Sequence, residues 1–289
     1  MAFLFYFGFM NWICLNGKML SGERPVLMHS NRGFRYGDAL FETMKIFNGK
    51  IILLSYHYER LFSGLRILHF KGISTLSKRN LSESILELCQ RNRCSDLGRV
   101  RLTVFRGNGS LNDKEENLQY LIEAVALPKT IIKLNEKGFH ICLHPEVKKS
   151  CDIFSNLKSA NYLPYVVAAQ FAKSNKQNDC LICNTNGRLA DTSIANLFLI
   201  KEKMIITPAL AEGCVNGVMR RYLLDQLKMS NKFDVREGAV TLNDLKDFEE
   251  VFLTNAIYGI RWVRRFENKL YRNSQTVSIY KELIEPLHS

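Results

Sequence analysis

Residues Ser155–Lys173 read SNLKSANYLPYVVAAQFAK. From Leu163 onward, Leu163, Val166, Val167, Ala169, Gln170 and Phe171 recur at helical spacing, which predicts an amphipathic helix. Before it stands Lys158, set among Ser155, Asn156, Ser159 and Asn161 with no carboxylate close by to pair it. Most lysines at such a junction are simply solvated. The other use of the amine is nucleophilic: it attacks a carbonyl carbon when neutral, so burial or a neighbouring cation must disfavour its charge. That use demands partner residues elsewhere in the chain.

Working outward, residues 10–20 alternate and turn at Asn16-Gly17, a hairpin signal, and LFETMKIFNGKIILL (Leu40–Leu54) reads as two strands about Asn48-Gly49. Residues 56–68 and 81–91 carry apolar faces at helical period, with Ser82 a candidate cap for the second. RVRLTVF (99–105) and YLIEAVAL (120–127) read as strands joined by a polar loop. Residues 128–133 are a candidate crossing between domains. Beyond them GFHICLHPEV reads as a strand, and the opening helix follows. DCLICNTNGRLADTSIANLFLIKEKMIITP then reads as three strands turning at Asn186-Gly187 and Glu202-Lys203. Residues 215–229 read as a helix, EVFLTNAIYGIRWVRRFENK as a strand pair, and residues 275–287 as a closing helix. The expected organisation is α+β in two domains: a small N-terminal α/β domain over residues 10–127, a connection over 128–133, and a larger C-terminal domain over 134–289.

Composition narrows the class. With 289 residues, the chain suits two domains or one large α/β unit, and 46% hydrophobic with 11% aromatic residues excludes disorder. The net charge of +12 is scattered. Its densest cluster, Arg261–Arg265, is broken by Trp262 and Val263, and no nucleic-acid motif accompanies it, so a small anionic substrate is favoured over nucleic acid. Of eight cysteines only Cys180 and Cys183 form a CxxC. No second pair completes a zinc site, and the turn-like NTNGR follows where a redox motif has a helix; free thiols, no metal and a reducing cytoplasm are expected. The N-terminal MAFLFYFGFM is apolar but lacks the ~20 residues of a membrane span and the cleavage pattern of a signal peptide. Met10 is the expected natural start, with residues 1–9 an upstream extension.

Three features match what the amine would need. In GCVNGVMRRYLLDQL, Gly213 and Gly217 allow close backbone approach, and a helix starting near Gly217 aims its free N–H groups at an anion. In GRLADTSIANLF, Asp191 follows a turn; in YHYERLF, Arg60 lies on a predicted helix. Each is commonplace alone. Together an amine, a phosphate cradle, an acid and a cation are the parts of a pyridoxal phosphate site.

The motifs NRGFRYGDALFETMKIFNG, HYERL, LKSANYL, GRLADTSIANLF and GCVNGVMR occur in this order in a known family. Over residues 12–287 the chain resembles the class IV (fold type IV) aminotransferases, a group that includes branched-chain aminotransferase, D-amino acid aminotransferase and 4-amino-4-deoxychorismate lyase. The resemblance implies a fold of the D-amino acid aminotransferase type, with a C-terminal pseudo-barrel, a homodimer, and pyridoxal 5'-phosphate as cofactor. By position it makes Lys158 the amine that bonds the cofactor and Arg60 the phosphate-binding arginine. Val218 and Met219, with Thr254 and Asn255, complete the phosphate cup. Asp191 becomes the acid at the pyridine nitrogen, Asn196 the asparagine of the same motif, and Tyr162 a contact of the phenolic oxygen. One departure stands out: the family usually has glutamate where Asp191 stands, and aspartate is about 1.5 Å shorter in reach.

Among the family's members the resemblance leans to the lyase. After Arg106 the loop FRGNGSLND lacks the arginine and histidine of the D-amino acid enzymes, and FET and TNA replace the FEG and GTA-like stretches of the branched-chain enzymes. Thr43, the RGxG of Arg106–Gly109, Asn255-Ala256 and VNGVMR match the lyase. The expected reaction turns 4-amino-4-deoxychorismate into 4-aminobenzoate and pyruvate, with Lys158 as base and Thr43 as proton donor. Lys45, Arg106 and Asn255 are candidate substrate ligands. The alternative is an aminotransferase on the same scaffold, using a branched-chain or other amino acid with 2-oxoglutarate.

Overall fold

The computed structural model describes residues 12–113 and 117–288; the expectation that Met10 is the start lies outside the described residues. The chain divides into two compact units, one of residues 1–129 with Lys158–Asn161, the other of residues 130–157 and 162–289. The segment with the lysine therefore groups with the first unit, although its neighbours in sequence belong to the second. Division by consecutive segments does not anticipate this.

The first unit runs β1 (Trp12–Leu15), β2 (Lys18–Ser21), α1 (Arg32–Tyr36), β3 (Ala39–Phe47), β4 (Lys50–Ile51), α2 (Leu54–Ile67), α3 (Lys78–Arg91), β5 (Leu97–Arg106) and β6 (Leu118–Ala126). Its six strands form an antiparallel sheet in the order β2-β1-β6-β5-β3-β4. Asn48 and Gly49 both take positive φ, 46° and 71°, the pairing that a two-residue hairpin turn demands and that Asn-Gly supplies at low cost. Alternation then sorts β3 into two faces. Leu40, Met44 and Ile46 go to the core with Val100, Leu102 and Val104 of β5, and α2 and α3 cover them with Leu61, Leu65, Leu81, Ile85 and Leu88. α3 begins at Lys78, one turn earlier than its apolar pattern suggests, because Ser77 accepts a hydrogen bond from Asn80 N at 3.3 Å. The Ser82 hydroxyl, expected as the cap, bonds Lys78 O and Tyr58 instead.

The second unit runs β7 (Phe139–Lys149), α4 (Leu163–Ser174), β8 (Asp179–Asn184), β9 (Leu189–Thr192), β10 (Asn196–Lys201), β11 (Met204–Pro208), α5 (Val218–Ser230), β12 (Asp234–Gly238), α6 (Leu242–Asp247), β13 (Glu250–Asn255), β14 (Gly259–Phe266), β15 (Lys269–Leu270) and α7 (Ser274–Ile279). Its mixed sheet, β12-β11-β10-β13-β14-β7-β8-β9 with β15 on β14, curls as the expected pseudo-barrel. Four strands, not three, occupy residues 179–208, since Ser193–Ala195 interrupts what reads as one run. Cys180 and Cys183 lie three residues apart on the extended β8, so they point to opposite faces.

α4 buries a different face from the one its large apolar residues indicate. Tyr165, Ala168 and Ala172 pack on Cys180 and Ile182, whereas Leu163 and Val166 are exposed. The helix is apolar nearly all round, so periodicity alone does not select a face. The small residues are the ones that let it lie close on β7 and β8.

Candidate active site

In the first unit a buried cluster joins β3 to α2. Glu42 projects from the core face of β3, and His57 and Arg60, three residues apart, share one face of α2. Arg60 donates to both carboxylate oxygens, Nε to Oε1 at 2.8 Å and Nη2 to Oε2 at 2.5 Å. His57 Nδ1 lies 2.6 Å from Oε2, and because a carboxylate only accepts, Nδ1 carries the hydrogen. Burial opposes the charge on Glu42, but the Arg60 and His57 interactions outweigh it and hold the carboxyl down to about 2. Burial likewise pushes His57 below the usual imidazole range, with the charges of Arg60 and Lys158 adding to that and Glu42 opposing it.

The opposite face of β3 carries Phe41, Thr43 and Lys45. Phe41 N donates to Lys158 O, and Ala160 N to Ala39 O, each at 2.9 Å, so residues 158–160 run beside the start of β3. The half-buried Lys158 places its Nζ 4.5 Å from the Phe41 ring centroid, a cation–π contact that Arg101 repeats at 3.7 Å. Arg101 is the register partner of Thr43, and Arg99 that of Lys45, which is fully buried. Arg106 has other duties. Its Nη1 donates to Asp38 at 2.6 Å and its Nη2 to Leu68 O at 2.5 Å, with the guanidinium over Phe70, so the structure uses it to tie α2 to the end of β5.

In the second unit the predicted acid and phosphate cup converge. Asp191, 3% exposed on β9, accepts at Oδ2 from Val215 N and Tyr165 Oη, both at 3.0 Å, and from Lys149 Nζ at 3.4 Å. Its Oδ1 is buried and has no hydrogen-bond partner. Val215 belongs to the loop that enters α5, whose N-cap, Gly217, supplies no side-chain cap for the first turn. A Cβ at Gly217 would come 1.9 Å from Asn196 Oδ1, so only glycine lets the loop lie against this asparagine. Asn196 fixes the loop from its other end by donating to Val215 O at 2.8 Å. Val218 and Met219, both buried, are the first residues of α5. The uncapped N–H groups and helix dipole at that point suit an anion.

Other predicted residues have fold-building partners. The Thr254 hydroxyl donates to Gly259 O at 2.7 Å. Asn255 accepts from Ile257 N and Tyr258 N and donates to Ile194 O, closing the β13–β14 turn. Tyr162 caps α4 with its ring stacked 4.3 Å from Tyr165. Sequence reasoning missed Glu42, His57, Lys149 and Tyr165. His57 was within reach of it, since His-x-x-Arg puts two polar residues on one face of α2 beside the apolar Leu61 and Leu65. Lys149 and Tyr165 gave no such signal, lying 42 and 26 residues from Asp191. Among the described residues no group of three or more His, Cys, Asp or Glu could hold a metal ion, and no helix is long and apolar enough to cross a membrane.

Comparison with known proteins completes the picture. The family model for amino-transferases of class IV matches residues 39–266. A Methanocaldococcus jannaschii protein provisionally named a branched-chain-amino-acid aminotransferase is 26% identical over 275 residues, 94% of each chain. The aminodeoxychorismate lyase of Bacillus subtilis is 27% identical over 252 residues, 86% of this chain and 84% of its own. The crystal structure of the Thermoproteus uzoniensis branched-chain aminotransferase with norvaline superposes with a TM-score of 0.85 at 18% identity, covering 96% of this chain and 94% of that one. The match spans β3 to β14 and so takes in Arg60, Lys158, Asp191 and the α5 loop: the chain belongs to the class IV amino-transferases, a family of pyridoxal 5'-phosphate enzymes.

Proposed function

We propose that this enzyme is a lyase that converts 4-amino-4-deoxychorismate into 4-aminobenzoate and pyruvate, working as a cytoplasmic homodimer on this small anionic substrate. The residues of the second unit fit the cofactor. Asp191 Oδ1 is a buried acceptor lacking a donor, which a protonated pyridine nitrogen supplies, and the uncapped start of α5 lies three residues from the Val215 N–H that Asp191 binds. In this reading Lys158 bonds the cofactor, and Arg60, oriented by Glu42, meets the phosphate together with the backbone of Val218 and Met219. Tyr162 approaches the phenolic oxygen. Thr254 and Asn255 shape the cup through the β13–β14 turn, and Asn196 through its hold on the α5 loop.

Pyridoxal phosphate, when bound, supplies a ring that accepts electrons from the substrate. The remaining work falls to side chains. Lys158 takes the proton from the substrate carbon that bears nitrogen. Thr43 gives a proton to the departing enolpyruvyl group, which leaves as pyruvate, so one proton is removed and one returned and no water is consumed. Lys45, Arg99 and Arg101 line the same sheet face and provide positive charge for carboxylates. Arg106, which pairs with Asp38, is a further candidate ligand for a substrate carboxylate.

The observation that carries the reading is the shared face of β3. Thr43 projects on the side of Phe41, over which the Lys158 Nζ sits at 4.5 Å, so a hydroxyl stands two residues from the ring that seats the base. A glycine at that position would offer no hydroxyl. The test is purified enzyme with 4-amino-4-deoxychorismate, watched for 4-aminobenzoate fluorescence. Amino transfer to 2-oxoglutarate without 4-aminobenzoate replaces the lyase with an aminotransferase.

A further inference from the structure

Asp191 has more company than the proposed reaction requires. Lys149, at the end of β7, gives one hydrogen to Ser155 O at 3.2 Å, one to Tyr165 Oη and one to Asp191 Oδ2 at 3.4 Å. Tyr165 Oη in turn donates to the same Oδ2 at 3.0 Å. The Lys149 and Asp191 side chains are 7% and 4% exposed. None of the steps above uses Lys149 or Tyr165. Resting on the assignment of Asp191 to the pyridine nitrogen, we propose that Lys149 is a positioning residue that keeps Asp191 aimed, and that its charge loosens the carboxylate's hold on the pyridine proton.

The aiming follows from the hydrogen bonds. Lys149, Tyr165 and Val215 all converge on Oδ2, which leaves Oδ1 as the buried oxygen to receive a ligand. The charge follows from burial. A carboxylate this enclosed needs a counterion, and before the cofactor binds Lys149 is that counterion. Once a pyridine N–H rests on Oδ1, two cations share one anion, and like charges a few ångströms apart disfavour each other. The nitrogen therefore releases its proton at lower pH than it would against Asp191 alone.

The other groups around Asp191 leave that balance to Lys149. Tyr165, from α4, stays protonated, because burial and then the Asp191 charge push its hydroxyl well above the usual phenol range. Tyr162 stacks on Tyr165. The Cys214 thiol, on the loop before α5, is pushed up to about 12, chiefly by burial. Arg220 acts on Cys214 but bonds Pro208 O and Glu237.

The test uses the full chain loaded with pyridoxal 5'-phosphate labelled with nitrogen-15 in its ring, the nitrogen resonance being followed against pH. Wild type is compared with Lys149→Met, Lys149→Arg and Asp191→Asn, with Lys149→Gln in reserve should the methionine variant not load. The methionine variant should hold the pyridine proton to a pH about one unit or more above wild type, and the arginine variant should titrate with wild type. A methionine variant that melts at lower temperature yet titrates with wild type, while Asp191→Asn loses the proton, overturns the role of Lys149. Wild-type titration in Asp191→Asn overturns the assignment of Asp191 itself, a distinguishable result.

Discussion

Two buried carboxylates, one in each unit, differ in how their oxygens are used. Glu42 spends both oxygens on protein donors, Arg60 on Oε1 and Arg60 with His57 on Oε2. Asp191 gathers three donors on Oδ2 and leaves Oδ1 with none. A buried acceptor without a donor costs free energy, on the order of 1–3 kcal/mol, so the open oxygen is where a ligand contributes most. The closed carboxylate holds Arg60, and the open one is where the proposed function seats the cofactor's pyridine nitrogen.

Removing the amine should have the largest effect. Lys158→Ala is expected to lose activity by at least about 100- to 10,000-fold and to lose the absorbance of covalently bound cofactor at about 400–430 nm. Retained absorbance would remove Lys158 from the site. Breaking the closed cluster comes next: Glu42→Gln leaves Arg60 a buried cation without its anion and should cost about 3–5 kcal/mol in urea unfolding, with weaker cofactor binding. Were Glu42→Gln neutral in stability and Asp191→Asn severe, the two carboxylates would have exchanged their assigned characters.

The closed cluster also predicts the acid limb of stability. His57 is depressed below its unfolded value, so the unfolded chain takes up a proton there first and stability begins to fall below about pH 6.5. Glu42 is depressed to about 2, so its contribution is complete above about pH 4.5 and is lost as pH drops from there to 2, about 3 kcal/mol in all. A denaturation midpoint independent of pH between 2 and 6 would contradict this. The smallest effect is expected inside the open cluster. Tyr165→Phe removes a hydroxyl from Asp191 and Lys149 and should cost about 1 kcal/mol, seen as a modest drop in thermal midpoint.

How far the sequence disclosed these clusters depends on how far apart their members lie. Asn48-Gly49, the alternation of β3 and the Gly217 helix start are local signals, and each produced the element expected of it. The polar junction around Lys158 was legible, but its grouping with the first unit was not, because hydrogen bonds to Ala39 and Phe41 decide it from more than a hundred residues away. The apolar face of α4 misled because closeness of packing, and so Ala168 and Ala172, outranked the size of Leu163 and Val166. Arg106 read as a candidate substrate ligand, and its bonds to Asp38 and Leu68 O, 68 and 38 residues away, carried no signal in the sequence. Lys149 and Tyr165 were illegible because a Lys-Tyr-Asp contact across three elements has no period.

The structure holds two lysines of interest, one over Phe41 in the first unit and one against Asp191 in the second. The most direct test tells them apart: borohydride reduction of the enzyme loaded with pyridoxal 5'-phosphate, then digestion and peptide mass spectrometry to locate the label. The account predicts the label on Lys158 alone; a label on Lys149 would contradict it.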